Sequence, residues 1–330
     1  MTATPASQAP KQELREQCAD AVLMVRPSAF GFNPETAATN TFQLPPEGAT
    51  ATVTTAASAA AAQSEFEQLA HALASEGVSV CVAEDSATPA KPDAVFPNNW
   101  LSFHEDGTLV LYPLQSQSRR AERRQEVIDA AVRELGFHVR RHLDLSDYEK
   151  QGKFLEGTGS LVLDHVQRAA YACLSPRTHP EVVAHWAREL GYDAVTFTAT
   201  NRAGVALYHT NVVLAIGARA VVVGSEAIAA AERARVLERL AASGREIIEI
   251  GHVELGQFAG NILELGTWDE ALGDARVLVM SQSARRALKP ETFAQLSGTT
   301  DTVLAVPVPT IERLGGGSVR CMLAEVFRPV

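Results

Sequence analysis

The chain reads as an α/β protein built from a repeated unit of strand, polar loop, hairpin, helix and strand. Two observations carry that reading. Five amphipathic helix patterns each stop at a glycine, namely Gly77, Gly136, Gly191, Gly244 and Gly298, with gaps of 59, 55, 53 and 54 residues. Glycine suits a helix stop because it enters the left-handed backbone region without a Cβ penalty. Six polar loop positions flank these helices: Asn33 in "FGFNPET", Asp93 in "DAVFPNNW", Glu156 in "FLEGTGS", His209 in "LYHTNVV", Asn261 in "FAGNILE" and Cys321 in "GGGSVRCML". Their steps are 60, 63, 53, 52 and 60 residues. Units that cannot bury their own apolar faces must stack on one another. Closed into a ring, they aim all six positions at a common centre.

Along the chain, "MTATPASQAPKQELREQ" lacks the basic-then-apolar order of a signal peptide. Residues 1–20 are expected to form a disordered lead-in, and residues 21–330 one domain opening with the strand "AVLMV". The Ala/Thr-rich "TATVTTAASAAAAQ" is expected to be a loop running into the first helix, which places Phe66, Leu69 and Leu73 on one face. "VSVCVAE" follows as a strand, and "SFHEDGTLVLY" as a hairpin around its Asp-Gly. In "RRAERRQEVIDAAVRELG" the basic start reads as a solvated helix face. His138 and His142 in "HVRRH" fall in a strand, so helical metal-ligand spacing does not apply to them. The remaining units repeat the order: "GSLVLD", "AAYACLS" and the helix "HPEVVAHWARELG"; "NVVLAIG", "AVVVG", the helix "AAERARVLERLAASG" and "REIIEIG"; "ARVLVMS", the helix "KPETFAQLSG" and "TVLAVPV".

The 330 residues are 46% hydrophobic, enough for a large core. A formal charge of −10 argues against nucleic acid or an anionic membrane as partner, since either wants a basic face. No apolar run approaches the roughly 18–20 residues that span a bilayer. Four cysteines without a CxxC imply reduced thiols, and with them a cytoplasmic protein. "GTGSLV" and "LGGGSV" lack the GKS or GKT of a P-loop, and no GxGxxG dinucleotide fingerprint occurs.

Cys321 follows Gly315–Gly317, where the backbone can turn tightly and approach a ligand. A thiol there serves as a nucleophile if a base takes its proton. His209 is the natural base, and Glu156 would orient its imidazole. The structural alternatives are a buried apolar cysteine, as Cys81 and Cys173 are read, a strand-end histidine and a turn-opening glutamate.

These motifs resemble those of the guanidino-group-modifying superfamily of arginine deiminases, dimethylarginine dimethylaminohydrolases and arginine amidinotransferases. They are most similar to the bacterial hydrolases associated with citrulline use. The likeness is carried by "MVRPSAFGFNPETAATNTFQ", "DAVFPNNW", "FLEGTGS", "AYACLSPRT", "YHTNVV", "GNILEL" and "GGGSVRCM", from about residue 22 to the end. It implies a five-bladed α/β propeller (pentein) of ββαβ units with pseudo-fivefold symmetry. It also implies that Cys321 is the nucleophile, His209 the acid/base and Glu156 its orienting carboxylate. Asp93 would hold the guanidinium and Arg177 the substrate carboxylate, with Asn33, Asn98, Asn99, Asn211 and Asn261 around the substrate. A covalent cysteine mechanism needs neither metal nor organic cofactor. The implied partner is a small amino-acid substrate, and homo-oligomerisation is left open.

The chain departs from the superfamily where Asn98 and Asn99 replace a common acidic pair, and where Asn211 replaces the deiminase aspartate after the histidine. A guanidinium has only donors and suits carboxylates. A ureido group has an acceptor oxygen beside N–H donors, and amides match both. The leading expectation is therefore hydrolysis of citrulline or arginine to ornithine, ammonia and carbon dioxide. The alternatives are an amidinotransferase using an amine acceptor, a single hydrolysis of the deiminase or dimethylarginine type, and a non-catalytic binding protein on the same fold.

Overall fold

The computed structural model describes residues 17–46, 55–269 and 273–328. The first strand, β1 (Ala21–Arg26), is buried almost throughout, as a strand flanked on both edges must be. Helix α1 (Ala56–Ser75) crosses to β2 (Ser79–Glu84), which pairs parallel to β1 with Ala21 opposite Ser79. The expected loop ahead of this helix is corrected, because Ala56–Gln63 is already helical. Alanine is the strongest helix former, and Thr55 supplies the start by accepting from the Ser58 N–H in a reciprocal capping box. Phe66, Leu69 and Leu73 are fully buried, as their spacing predicts. Residues 50–54 of the Ala/Thr-rich stretch lie outside the described residues.

The same order recurs. Strands β3 (Leu101–Phe103) and β4 (Thr108–Leu111) form a hairpin, then α2 (Gln125–Leu135) crosses to β5 (Arg141–Asp144). Strands β6 (Leu161–Asp164) and β7 (Ala169–Cys173) lead through α3 (Pro180–Leu190) to β8 (Asp193–Phe197). Strands β9 (Leu214–Ile216) and β10 (Ala220–Val223) lead through α4 (Ala230–Ala241) to β11 (Glu246–Glu249). Strands β12 (Leu263–Asp269) and β13 (Gly273–Ser281) lead through α5 (Pro290–Ser297) to β14 (Thr302–Val306). Finally β15 (Ala324–Glu325) returns to pair antiparallel with β1. Among the described residues the result is five three-stranded sheets of one topology, the first joining β1 and β2 to the late strand β15.

Successive units bond to each other, and the last bonds to the first. Phe103 bridges Val326, Leu155 donates to Pro113 O, Cys173 N donates to Thr210 Oγ1, and Asn261 Nδ2 donates to Asn211 O. The Glu65 carboxylate on α1 accepts the N–H groups of Thr310 and Ile311, beyond β14. Among the described residues, four apolar clusters fill the spaces between helices and sheets.

The glycine stops hold with one exception. Gly136 and Gly191 are left-handed caps, at φ 67° and 70°, and Gly77 and Gly244 lie just beyond their helices at φ 86° and 75°. Gly298 caps α5 at φ −72°, because its N–H continues the helical bonding to Ala294 O and Gln295 O. Of the expected lead-in over residues 1–20, residues 17–20 fall within the described residues. Gln17, Cys18 and Ala19 are buried, and Gln17 Nε2 donates to Leu163 O and Ile216 O. Residues 1–16 lie outside the described residues. No helix among the described residues is long and apolar enough to cross a membrane.

Candidate active site

Cys321 sits in a single 3-10 turn, Val319–Met322, separated from the triple glycine by Ser318. Phe96 explains two of those glycines. A Cβ on Gly315 or Gly317 would meet its ring at 2.8 or 3.0 Å. Gly316 is left-handed at φ 63°, and its carbonyl accepts from Tyr208 Oη and Asn40 Nδ2. The ring of "DAVFPNNW" is thereby packed on the loop that carries the thiol.

His209 precedes the Thr210–Val212 turn and is 1% exposed. Its Nε2 lies 2.9 Å from Glu156 Oε2, and its buried Nδ1 has no partner among the described residues. An ionised carboxylate only accepts, so the proton belongs on Nε2 and Nδ1 keeps a free lone pair. Burial lowers the imidazole to about 4 against the opposing pull of Glu156, leaving it neutral near pH 7.

Burial alone would raise the Glu156 carboxyl, but Arg177, His209 and Arg119 outweigh it and hold the group well below the usual range. Glu156 also accepts from Gln115 N and from Arg177 Nη1, the latter at 3.3 Å. Arg177 donates further to Thr39 Oγ1 and Thr36 O, and stacks 5.0 Å over the Tyr208 ring. The turn after Glu156 must contain Gly159, since a Cβ there would lie 2.6 Å from both Asn99 Nδ2 and His209 Nδ1.

Asp93 is 2% exposed, and burial raises its carboxyl although Arg119 and Asn33 oppose that. Asn33 Nδ2 donates to its Oδ2 at 2.6 Å, and Thr36 Oγ1 approaches the same oxygen. Its side chain makes no ion pair among the described residues, and its hydrogen bonds there fall on Oδ2. A narrow cavity is lined by Thr36, Asp93, Asn99, Arg177, His209 and Cys321, among others.

The structure thus brings Asp93, Asn99, Arg177, His209 and Cys321 to one cavity, with Glu156 behind His209. Four asparagines expected at the substrate make contacts within the chain. Asn33 caps the short helix Pro34–Ala37 and holds Asp93. Asn98 is fully buried and accepts from Asn99 Nδ2, and its own Nδ2 has no partner among the described residues. Asn211 and Asn261 reach the Cys321 sulfur, with Nδ2 at 3.5 and 3.3 Å.

"RRAERR" is also corrected. Arg119 and Glu122 are buried at 2% and 3%, and they pair at 2.8 Å. Arg119 lines the cavity and clamps the loop, donating to Asn99 Oδ1 at 2.7 Å and to Phe96 O. Burial pushes Glu122 up to about 7 despite Arg119. The available signal was the lone acid three residues after Arg119 in an otherwise basic run. Thr36 and Tyr208 gave no such signal.

Five ββαβ units around a polar cavity place the chain among the guanidino-modifying enzymes. Residues 26–328 match the family described as N,N dimethylarginine dimethylhydrolase, eukaryotic, and the chain belongs to that family. It is accordingly a hydrolase of C–N bonds in guanidino compounds. The chain is similar to the substrate-bound N-terminal domain of ArgZ, an arginine dihydrolase from the ornithine-ammonia cycle in Cyanobacteria. There the TM-score is 0.69 and identity 18%, over 94% of this chain and 98% of that one. A dimethylarginine-type enzyme (DDAH) from Pseudomonas aeruginosa, complexed with citrulline, matches at TM-score 0.61 and 16% identity, over 93% and 99% of the two chains. AgrE in complex with L-arginine matches at 0.68 and 18%, over 94% of this chain but 40% of AgrE. No curated protein matches the chain.

Buried neutral histidines also set the acid stability. Burial lowers His104 to about 4, His165 to about 3 and His209 to about 4. An unfolded histidine takes its proton near pH 6.5, so across this window the unfolded state binds more protons and stability falls as pH falls. Each histidine contributes on the order of 3 kcal/mol to that loss between about pH 6.5 and 4. Denaturant titrations at stepped pH should show the midpoint falling across this range. A flat profile would show that these histidines are protonated in the native state.

Proposed function

We propose that the protein hydrolyses the guanidino or ureido group of arginine or citrulline through a covalent adduct on Cys321, giving ornithine, ammonia and carbon dioxide. The carrying observation is that Asp93, His209 and Cys321 face one buried cavity, with the Asp93 carboxylate lacking an ion-pair partner there. A guanidinium supplies the missing cation and directs its N–H groups at Oδ1. Neutral His209 takes the thiol proton on Nδ1, and Glu156 stabilises the resulting imidazolium. The thiolate attacks the central carbon, and His209 returns the proton to the departing nitrogen, which leaves as ammonia. Water, deprotonated by His209, then displaces the sulfur. Arginine consumes two waters and releases two ammonia molecules when both outer C–N bonds are cut.

Arg177 is the group proposed to meet the substrate α-carboxylate. Two of its present partners, Thr36 O and Thr39 Oγ1, are neutral and yield to a carboxylate. The test is a product-resolved incubation with arginine, citrulline, a methylarginine and agmatine. Ornithine and ammonia from arginine or citrulline are expected, with agmatine poor because it lacks the carboxylate. Absence of ornithine from both, or full activity in Cys321→Ser, would overturn the reading.

A further inference from the structure

We propose that Asn211 and Asn261 form an amide cradle that stabilises the Cys321 thiolate in the empty enzyme, arming it against a neutral ureido group. The inference rests on the reading above and assigns these residues to the sulfur instead of the substrate.

Three observations carry it. Asn261 Nδ2 lies 3.3 Å from Sγ and donates at 3.0 Å to the Asn211 carbonyl. A carbonyl only accepts, so that bond fixes which end of the Asn261 amide is the donor. Asn211 Nδ2 approaches the same sulfur at 3.5 Å, nearer than its own oxygen at 3.9 Å. Neither asparagine lines the cavity, whereas Cys321 does. Both amides therefore sit behind the sulfur, leaving its cavity side open.

The chemistry follows from charge. A carboxylate at either position would repel a thiolate, which would then need a cationic substrate to form. An amide N–H instead strengthens its bond as the sulfur gains charge. A thiolate made without help from the substrate can attack citrulline, which brings no charge. The Sγ–C bond forms as the C–NH2 bond breaks, and the His209 proton leaves with ammonia. Water then breaks the Sγ–C bond, the electron pair returns to sulfur, and the carbamate falls to ornithine and carbon dioxide. The amides make sulfur a better leaving group at that step as well.

The test reads the thiolate directly. Alkylation of the substrate-free protein by neutral iodoacetamide is followed at pH 7 in wild type, Asn211→Asp and Asn261→Asp, with thermal melting alongside. Each substitution should slow alkylation about tenfold or more, the value of a hydrogen bond to a charged atom. Citrulline turnover should fall further than the first cleavage of arginine, whose cation helps to form the thiolate. Because Asn261→Asp also breaks the bond to the Asn211 carbonyl, Asn211→Leu is the second variant. It removes the donor, adds no charge, and should slow alkylation as well. Unchanged alkylation in folded Asn211→Asp and Asn211→Leu would overturn the cradle. Should no guanidino or ureido compound be turned over, the alkylation rates still decide the cradle, and only the substrate reading fails.

Discussion

Glu156→Gln is expected to lose roughly a thousandfold in kcat and about 3 kcal/mol or more of stability. Glu156 is fully buried and serves three donors: His209 Nε2, Arg177 Nη1 and Gln115 N. A glutamine can keep the bond to Gln115 N through its oxygen. Its NH2 then faces two other donors, and the Arg177 charge is left without a counter-ion. Breaking one member of a buried pair costs more than the pair contributes, because the remaining charge stays desolvated. The catalytic loss has a separate cause. Without the carboxylate, Nε2 no longer has to carry the proton, and the tautomer that leaves Nδ1 free is no longer enforced.

The pH dependence gives this prediction a second reading. The Glu156 carboxyl is held low in the folded state, so its stabilisation is full above the ordinary carboxylate range and fades as pH falls below it. Glu156→Gln should therefore lose most stability near neutral pH and little in strong acid. Urea titrations at both conditions, with kcat at neutral pH, check the two effects. Equal destabilisation at all pH values would mean that the side chain acts through packing, and an unchanged kcat would remove Glu156 from the catalytic reading.

The regular spacing of helix stops and polar loops was legible because stacked units of one size must repeat both. It led to the recurring three-stranded unit and to the loops that bring Cys321, His209 and Asp93 to one cavity, with Glu156 bonded to His209. Spacing says which loop approaches the centre but not which atom of it does so. Hence the sequence places Asn33, Asn98, Asn211 and Asn261 near the centre without showing their contacts to Asp93, Asn99 and the Cys321 sulfur. Arg119 was missed for another reason. A basic run normally marks a solvated face, and only the local turn Ser118–Glu122 sends Arg119 inward with its own counter-ion. Gly159 looked like one glycine of a turn, while its need for close approach to His209 and Asn99 depends on loops from two other units.

Asn99→Asp is the sharpest probe of what the cavity holds. Arg119 Nη1 already donates to Asn99 Oδ1, so the amide presents only its Nδ2 end elsewhere, and that end donates to Asn98 Oδ1. In the variant both ends are acceptors. Arg119 gains an ion pair, while the other oxygen meets Asn98 Oδ1. Asn98 has the remedy in place, since its buried Nδ2 has no partner among the described residues. A flip of that amide turns the clash into a hydrogen bond, and the fold survives. The cavity, however, loses a donor for the ureido oxygen and gains a second carboxylate suited to a guanidinium. Arginine should still lose its first nitrogen, but citrulline should then leave uncleaved. Its own turnover should fall about a hundredfold, the cost of setting two buried acceptors against each other. Product analysis from arginine, with the melting temperature as the folding control, distinguishes the outcomes. Continued ornithine formation at the wild-type ratio would show that Asn99 does not face the reacting group. Unfolding would instead return the asparagine pair to a purely structural role.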